Sequence, residues 1–415
     1  MTTRIDALSI RQVLLGTGLF ALVVRLAYWL LASPDLELTG DAGQYHFLAT
    51  NLSEGRGFVD VFPQIELHET AFRPPLYPGA LSLVFSLLWP SAGIARLVNV
   101  LIGTGLVVAL AALLYRHLGV RAAIGGAVAA AVAPNLVAND TWVITEPLSL
   151  LLLVLLLGAA VERRPVLAGI ATGLLLLARP SAQLLALLFV GWFLVTLGWR
   201  RALAFAAVVV MIVVPWVARN WIELDSPVLV TSNGFNLAAM YSPPAERSGT
   251  FIDPAHHPWF DDRRLAHFDE VAWDRSLRKV AIDNIRDDPT LVSKVAGRNF
   301  LAFFELDPGR NDPAEEVDGR HMGVRGATLW IFYATLVAGL AGFWRRRHDT
   351  LVVAAALVAA YFTVASVLSV APPRLRAPVD LMLAIGVGAL FAGTFGTSSP
   401  VSGSDVSNVE QPDVS

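Results

Sequence analysis

Ten apolar runs recur along a chain of 415 residues, most of them close to the roughly 20 residues that a 30 Å hydrocarbon core requires of a helix rising 1.5 Å per residue. They cover residues 13–31, 94–115, 122–137, 148–161, 166–178, 182–197, 203–221, 327–344, 351–370 and 379–395. An all-α polytopic membrane protein follows. Charge is scarce, at 16% of residues, and badly spread: residues 223–322 carry 18 acidic and 11 basic side chains, which is 29 of the 65 charges in the chain. The rest is left nearly charge-free, as serial spans require. Residues 76–89 are apolar over too short a length to span untilted, and form either an eleventh helix or one lying on the membrane surface.

Arginine placement sets the sidedness. With 76–89 kept on the outer face, the connections holding Arg116 and Arg121, Arg163 and Arg164, Arg200 and Arg201, and Arg345 to Arg347 all join Arg4 and Arg11 on one side. Short loops rich in Arg mark the cytoplasm. The expectation is a multi-pass protein of the cell membrane with its N-terminus cytoplasmic and its chemistry on the outer face. No small-residue cleavage site follows the first run, which is therefore expected to be a retained span. Four regions result: a transmembrane catalytic module over 1–221 with a first outer loop at 32–93, an outer-face soluble helical domain over 222–322, C-terminal transmembrane helices over 323–396, and a disordered tail over 397–415. Within the outer domain, helical spacing predicts a helix over 261–285, and Asp288-Pro289 reads as the start of another reaching Phe304.

Several chemistries are excluded or left without support. A basic set of 29 Arg and 2 Lys balanced by 34 acidic residues makes no basic domain, so nucleic-acid binding is set aside. There is no Cys, hence no disulfide, thiolate metal site or Cys nucleophile. His256-His257 lack the spacing of a metal site and read as a solvated loop. Neither an internal repeat nor a glycine-rich phosphate loop is present, and no divalent metal is indicated.

The polar residues that remain gather in the outer loops. Thr39 or Asp41 can cap a surface helix whose apolar face is Tyr45, Leu48, Ala49 and Leu52, with His46 beside it. Asp41 is either a helix N-terminal charge or a carboxylate offered to a lipid-borne substrate. Arg73, pinned by Pro74 and Pro75 ahead of Tyr77, either snorkels to headgroups or binds phosphate. The second outer loop holds Asp140 and Glu146, and an acidic residue entering a span is costly enough to imply a task. Arg179 stands before Pro180 at the third turn. Arg219 ends a span on the same side. Arg374 and Arg376 break the positive-inside trend in a short outer loop, which points to an anionic partner there. Arg25, inside the first span, is assigned no role.

In this order and location, Asp41-x-x-x-Tyr45, Gly55-Arg56-Gly57-Phe58, Arg73-Pro74-Pro75-Leu76-Tyr77-Pro78, Thr145-Glu146-Pro147, Ala178-Arg179-Pro180 and Arg374-Leu375-Arg376-x-Pro378 resemble the GT-C superfamily of integral membrane glycosyltransferases, over residues 10–395. The likeness is to the branch that holds protein O-mannosyltransferases, the lipid A aminoarabinose transferase and lipopolysaccharide galacturonosyltransferase-like proteins. It implies a GT-C-like bundle of about ten transmembrane helices with outer-face interfacial helices and a small helical outer domain. It also implies a polyprenyl-phosphate sugar donor, a glycan, glycolipid or protein acceptor, and inversion at the transferred sugar. Asp41 is then the general base and Glu146 the second-loop acid. Arg73, Arg179 and Arg374 are expected to bind the donor phosphate, and Tyr45, His46, Tyr77, Asp140 and Arg376 to line the substrate. Asp41 is followed by Ala42 and not by a second carboxylate, so a paired-carboxylate metal site is not expected there. The competing class is a transporter or flippase of lipid-linked saccharides, which would carry charges at mid-depth and paired halves; a third is a ligase or polymerase of surface polysaccharide.

Overall fold

Helix formation begins at Ser9, whose hydroxyl accepts the Gln12 N–H while the Gln12 side chain accepts the Ser9 N–H, so two otherwise orphaned donors are satisfied together. From this cap α1 (Ile10–Ala32) runs for 23 residues. The computed structural model describes residues 5, 7–33, 37–63, 66–263 and 269–393. The tail expected over 397–415 lies outside the described residues.

The first outer loop folds as α2 (Gly40–Ser53), an antiparallel pair β1 (Val59–Asp60) and β2 (His68–Glu69), and α3 (Leu76–Leu87). Tyr45 and Ala49 of α2 bury against Tyr77, Leu81 and Phe85 of α3, as the predicted apolar face requires. Then come α4 (Ala92–Leu118), α5 (Val120–Val132) and α6 (Pro134–Asp140). The run expected to cross over 122–137 is broken: α5 and α6 meet at 64°, because Pro134 has no N–H to continue the ladder. Next are α7 (Glu146–Val161), α8 (Pro165–Ala178), α9 (Gln183–Leu197) and α10 (Trp199–Leu224), the outer helices α11 (Asn233–Tyr241), α12 (Pro243–Ser248), α13 (Glu270–Asp287), α14 (Thr290–Phe303) and α15 (Asp312–Val317), and finally α16 (Met322–Arg345), α17 (Thr350–Val367) and α18 (Ala377–Phe391).

Each of the ten predicted runs contains helix among the described residues, the last two ending at Val367 and Phe391. Among the described residues six helical segments are long and apolar enough to cross a membrane: α1, α4, Pro180–Leu197, α10, α16 and α17, or seven if the bent pair is one span. Helices α7 and α8, of 16 and 14 residues, are apolar but shorter. Helix α18 is buried along nearly its whole length, walled by α16, α5, α17 and α4. Its backbone meets that of α16 directly, for a Cβ on Gly342 would collide with the Gly386 carbonyl oxygen; small residues are what allow such an approach inside a membrane bundle.

The charge-dense segment is packed onto the first outer loop. Phe72 shares a cluster with Phe235, Phe260, Trp273 and Leu277. The buried Glu270 carboxylate accepts the Thr70 hydroxyl at 2.7 Å, the Ala71 N–H at 2.9 Å and the Thr231 hydroxyl. Helix α13 starts at Glu270, capped by Asp269, and not at 261 as spacing implied, because Pro258–Arg263 wind into a 3-10 turn. The next helix starts at Thr290 with Pro289 at its cap position, one residue later than expected, and Asp288 just ahead of it accepts the Thr290 N–H at 3.0 Å.

Candidate active site

Asp41 sits in the first turn of α2, where the helix N-terminus favours a negative charge. Three residues on, one turn further along the same face, is Gln44. Arg73 arrives from the extended segment that Glu270 fixes at Thr70 and Ala71. It donates from Nε to Gln44 Oε1 at 2.7 Å and from Nη2 to Asp41 Oδ1, with its guanidinium 5.1 Å from the Phe72 ring and 5.7 Å from that of Tyr45. Cation–π attraction holds the head over those rings. Tyr77 stands behind, edge-on to Tyr45 at 5.2 Å.

Arg374 approaches from the opposite end of the sequence, on the 3-10 turn Pro373–Arg376 that leads into α18. Its Nη2 bonds Asp41 Oδ2 at 2.5 Å and its Nη1 bonds Asp318 Oδ1 at 2.6 Å. Its Nε lies 3.1 Å from Glu146 Oε1. Glu146 is the first residue of α7 and is 2% exposed. Arg179, at the C-terminal cap of α8, places Nη1 3.7 Å from the same oxygen and donates from Nε to Ser181 at 3.2 Å. Three carboxylates (Asp41, Glu146 and Asp318) thus face three guanidiniums (Arg73, Arg179 and Arg374). Two guanidinium N–H groups, Arg179 Nη1 and Arg374 Nε, are buried without a hydrogen-bond acceptor, and buried donors left unmade are expensive.

The two aspartates differ in character. Burial works against charge on Asp41, but Arg73 and Arg374 outweigh it and hold the carboxyl well below the usual carboxylate range. Burial pushes Asp318 up to about 7; Arg374 opposes this, while Asp41, Glu315 and Glu146 repel a further negative charge. For Arg374 itself, burial is outweighed by Asp318, Glu146 and Asp41, so it stays charged. Its head fills the space between the three carboxylates, and among the described residues no three His, Asp or Glu side chains are grouped to hold a metal ion.

No family model matches the chain, and no curated protein matches it. Solved structures do. The oligosaccharyltransferase AglB of Archaeoglobus fulgidus, in complex with an inhibitory peptide and a dolichol-phosphate, superposes with a TM-score of 0.53 at 15% identity, over 94% of this chain and 50% of that one. The same enzyme tethered to an acceptor peptide gives 0.51 at 14% identity, over 91% and 49%. ArnT of Cupriavidus metallidurans bound to undecaprenyl phosphate gives 0.43 at 16%, over 90% and 77%. The chain spans about half the length of the AglB chains. The likeness is one of fold: the chain shares the fold of the AglB oligosaccharyltransferase structures.

On this fold, five of the residues expected from sequence, Asp41, Arg73, Glu146, Arg179 and Arg374, fall in one network, with Tyr45 and Tyr77 beside it. Three do not. Asp140 is committed to Arg25 of α1, 2.6 Å away with neither side chain exposed. Arg376 is enclosed by Glu305 at 2.8 Å, Asp380 at 3.0 Å and the Phe303 carbonyl at 2.6 Å, over the Phe332 ring. His46 packs 5.3 Å from Phe85, turned from Asp41 around the helix. Arg219 is held by Glu69 and the Thr70 carbonyl. Sequence reading missed Gln44 and Asp318. The only local mark on Asp318 was the Asp-Gly step into Gly319, whose φ is +70°.

Proposed function

We propose that this chain transfers a glycosyl group from a polyprenyl-phosphate-linked donor to a hydroxyl of a cell-envelope acceptor (glycan, glycolipid or protein) on the outer face of the cell membrane, with inversion. One observation carries the reading: three guanidiniums converge at the loop ends of the GT-C bundle, and two of their buried N–H groups lack an acceptor. A phosphate oxygen supplies the missing acceptor, and Arg is the side chain whose donors match it. Arg73, Arg179 and Arg374 would stabilise the departing polyprenyl phosphate, already a stable anion that needs no protonation, in a site screened from water. That the AglB structure holds a dolichol-phosphate supports the donor class. Glu146 anchors Arg179 and Arg374. The acceptor hydroxyl needs a base as it attacks, and the resemblance assigns that task to Asp41.

The test uses the full chain in lipid nanodiscs, a panel of radiolabelled polyprenyl-phosphate monosaccharides, and an envelope extract fractionated into lipid, glycan and protein. Label should leave the donor and enter one fraction, with Arg374→Gln inactive. Movement of the intact donor across a vesicle bilayer without transfer would replace this reading by a flippase.

A further inference from the structure

We propose that Asn135 and Asn139 are positioning residues for Arg374, holding its backbone so that its guanidinium keeps an N–H for the donor phosphate, an inference that rests on the glycosyl-transfer reading above. Both belong to α6, the seven-residue helix that follows the break at Pro134. Its polar side chains Asn135, Asn139 and Asp140 are all buried, and a polar group inside a membrane bundle is costly enough to need a task. Asp140 has Arg25. The two asparagines, four residues apart and so on one face of the helix, both reach the 3-10 turn that carries Arg374. Asn135 Nδ2 donates to the Pro373 carbonyl at 2.8 Å, and Asn139 Nδ2 to the Arg374 carbonyl at 3.3 Å.

Asn135 binds on three sides. Its Nδ2 also donates to Asp380 Oδ2 at 2.7 Å, and the other oxygen of Asp380 takes the Arg376 Nε–H at 3.0 Å. The turn is thereby closed in a ring, from Pro373 through Asn135 and Asp380 to Arg376. At the other end of the amide, Asn135 Oδ1 accepts an N–H of Arg320, which pairs with Glu315 at 2.7 Å. Arg320 lies two residues beyond Asp318, the carboxylate bonded to Arg374 Nη1. One amide therefore fixes the residue before Arg374 and the segment that carries one of its ionic partners.

Arg374 Nε shows what the clasp achieves. It is 3.1 Å from Glu146 Oε1, yet its N–H is not aimed at that oxygen and has no hydrogen-bond acceptor. A guanidinium on a loose stem would swing to complete the bond, because a buried donor left unmade is expensive. Here the carbonyls of Pro373 and Arg374 are tied to α6, while Nη1 and Nη2 are tied to Asp318 and Asp41. The head cannot turn, and Nε stays available to a phosphate oxygen. Releasing the backbone lets Nε close onto Glu146, which removes the donor without removing the charge.

The experiment uses the full chain in nanodiscs and reads undecaprenyl phosphate binding, together with kcat and KM for the donor that the panel above identifies. It compares wild type, Asn139→Ala, Asn135→Ser, Arg374→Lys and each asparagine variant combined with Arg374→Lys. Asn139→Ala, and Asn135→Ser with its shorter reach toward Pro373, should each weaken undecaprenyl phosphate binding roughly three- to ten-fold and lower kcat. In the Arg374→Lys background, where Arg73 and Arg179 keep binding measurable, the same changes should alter binding by less than about two-fold, since effects that pass through one group do not add. A merely structural role would repeat its full effect there. The proposal is overturned if the asparagine and Arg374→Lys effects add in full, or if both single variants bind undecaprenyl phosphate as wild type does. Should Asn135→Ser fail to fold, Asn139→Ala carries the same comparison alone. A wild type that transfers no sugar from any donor defeats the glycosyl-transfer reading itself, an outcome distinct from an active wild type with indifferent asparagine variants.

Discussion

Arg374 Nη2 stands 2.5 Å from Asp41 Oδ2 across 333 residues of sequence, tying the helix after the first span to the turn before the last. The same guanidinium is shared with Asp318 and Glu146. Removing it leaves three carboxylates with two cations in a nearly dry site, and breaking a buried charge network by deleting one partner costs about 3–5 kcal/mol. Arg374→Gln should therefore lower the thermal midpoint sharply as well as abolish transfer. Arg374→Lys should restore part of the midpoint and little of the activity, because an ammonium cannot serve three carboxylates with a planar fork. A thermal-shift series with the three proteins checks both halves.

Asp318 gives a prediction whose sign runs against intuition. Its folded-state value of about 7 lies above the usual 3.8, so the folded protein binds the extra proton between those values. The stabilising contribution is complete below about pH 4 and is lost as pH rises through about 7. Asp318→Asn removes the loss, and Arg374 still has Asp41 and Glu146. The variant should be more stable than wild type at pH 8 by on the order of 1–3 kcal/mol, with the difference vanishing near pH 4. Thermal unfolding of both proteins at the two pH values measures it; a wild type whose midpoint is flat across this window would refute the assignment.

How much of this was legible beforehand depends on the residue. Asp41, Arg73, Glu146, Arg179 and Arg374 stood out because a charge beside an apolar run is costly and needs a reason. Asp318 did not, because it sits among 29 charges where an acidic side chain looks solvated; only the distant Arg374 and the burial around it give it a different character. Asp140 and Arg376 carried the same local signal as Glu146 and Arg374, yet fold into closed pairs, and sequence cannot tell a satisfied buried charge from one awaiting a ligand. The break at Pro134 was readable from proline chemistry, whereas the shortness of α7 and α8 as spans follows from where neighbouring turns begin.

Gly319 offers a way to move Asp318 without touching any charge. Its φ of +70° suits glycine, and an added Cβ would press on Trp142 at 2.8 Å. Gly319→Ala should cost about 1–2 kcal/mol from backbone strain and the ring contact. Thermal unfolding of Gly319→Ala against wild type measures the loss.

The Arg25–Asp140 pair makes a last, separate prediction. Arg25 Nε and Nη2 reach Asp140 Oδ2 at 2.7 and 2.6 Å, and Arg25 also bonds the Ala21 carbonyl at 3.2 Å. Neither side chain is exposed. The pair ties α1 to the end of α6, six residues before Glu146, so its expected part is structural. Asp140→Leu alone leaves a buried guanidinium without its counter-charge and should cost about 3–5 kcal/mol. Arg25→Leu strands the carboxylate in the same way. The double variant removes both charges and should recover most of the midpoint lost by either single change, because replacing a buried ion pair by apolar groups is often close to neutral. Expression level and thermal midpoint of the four proteins form a double-mutant cycle, and transfer activity that follows stability through the cycle is the expected result. A stable double variant that binds undecaprenyl phosphate but transfers no sugar would instead return Asp140 to the substrate site.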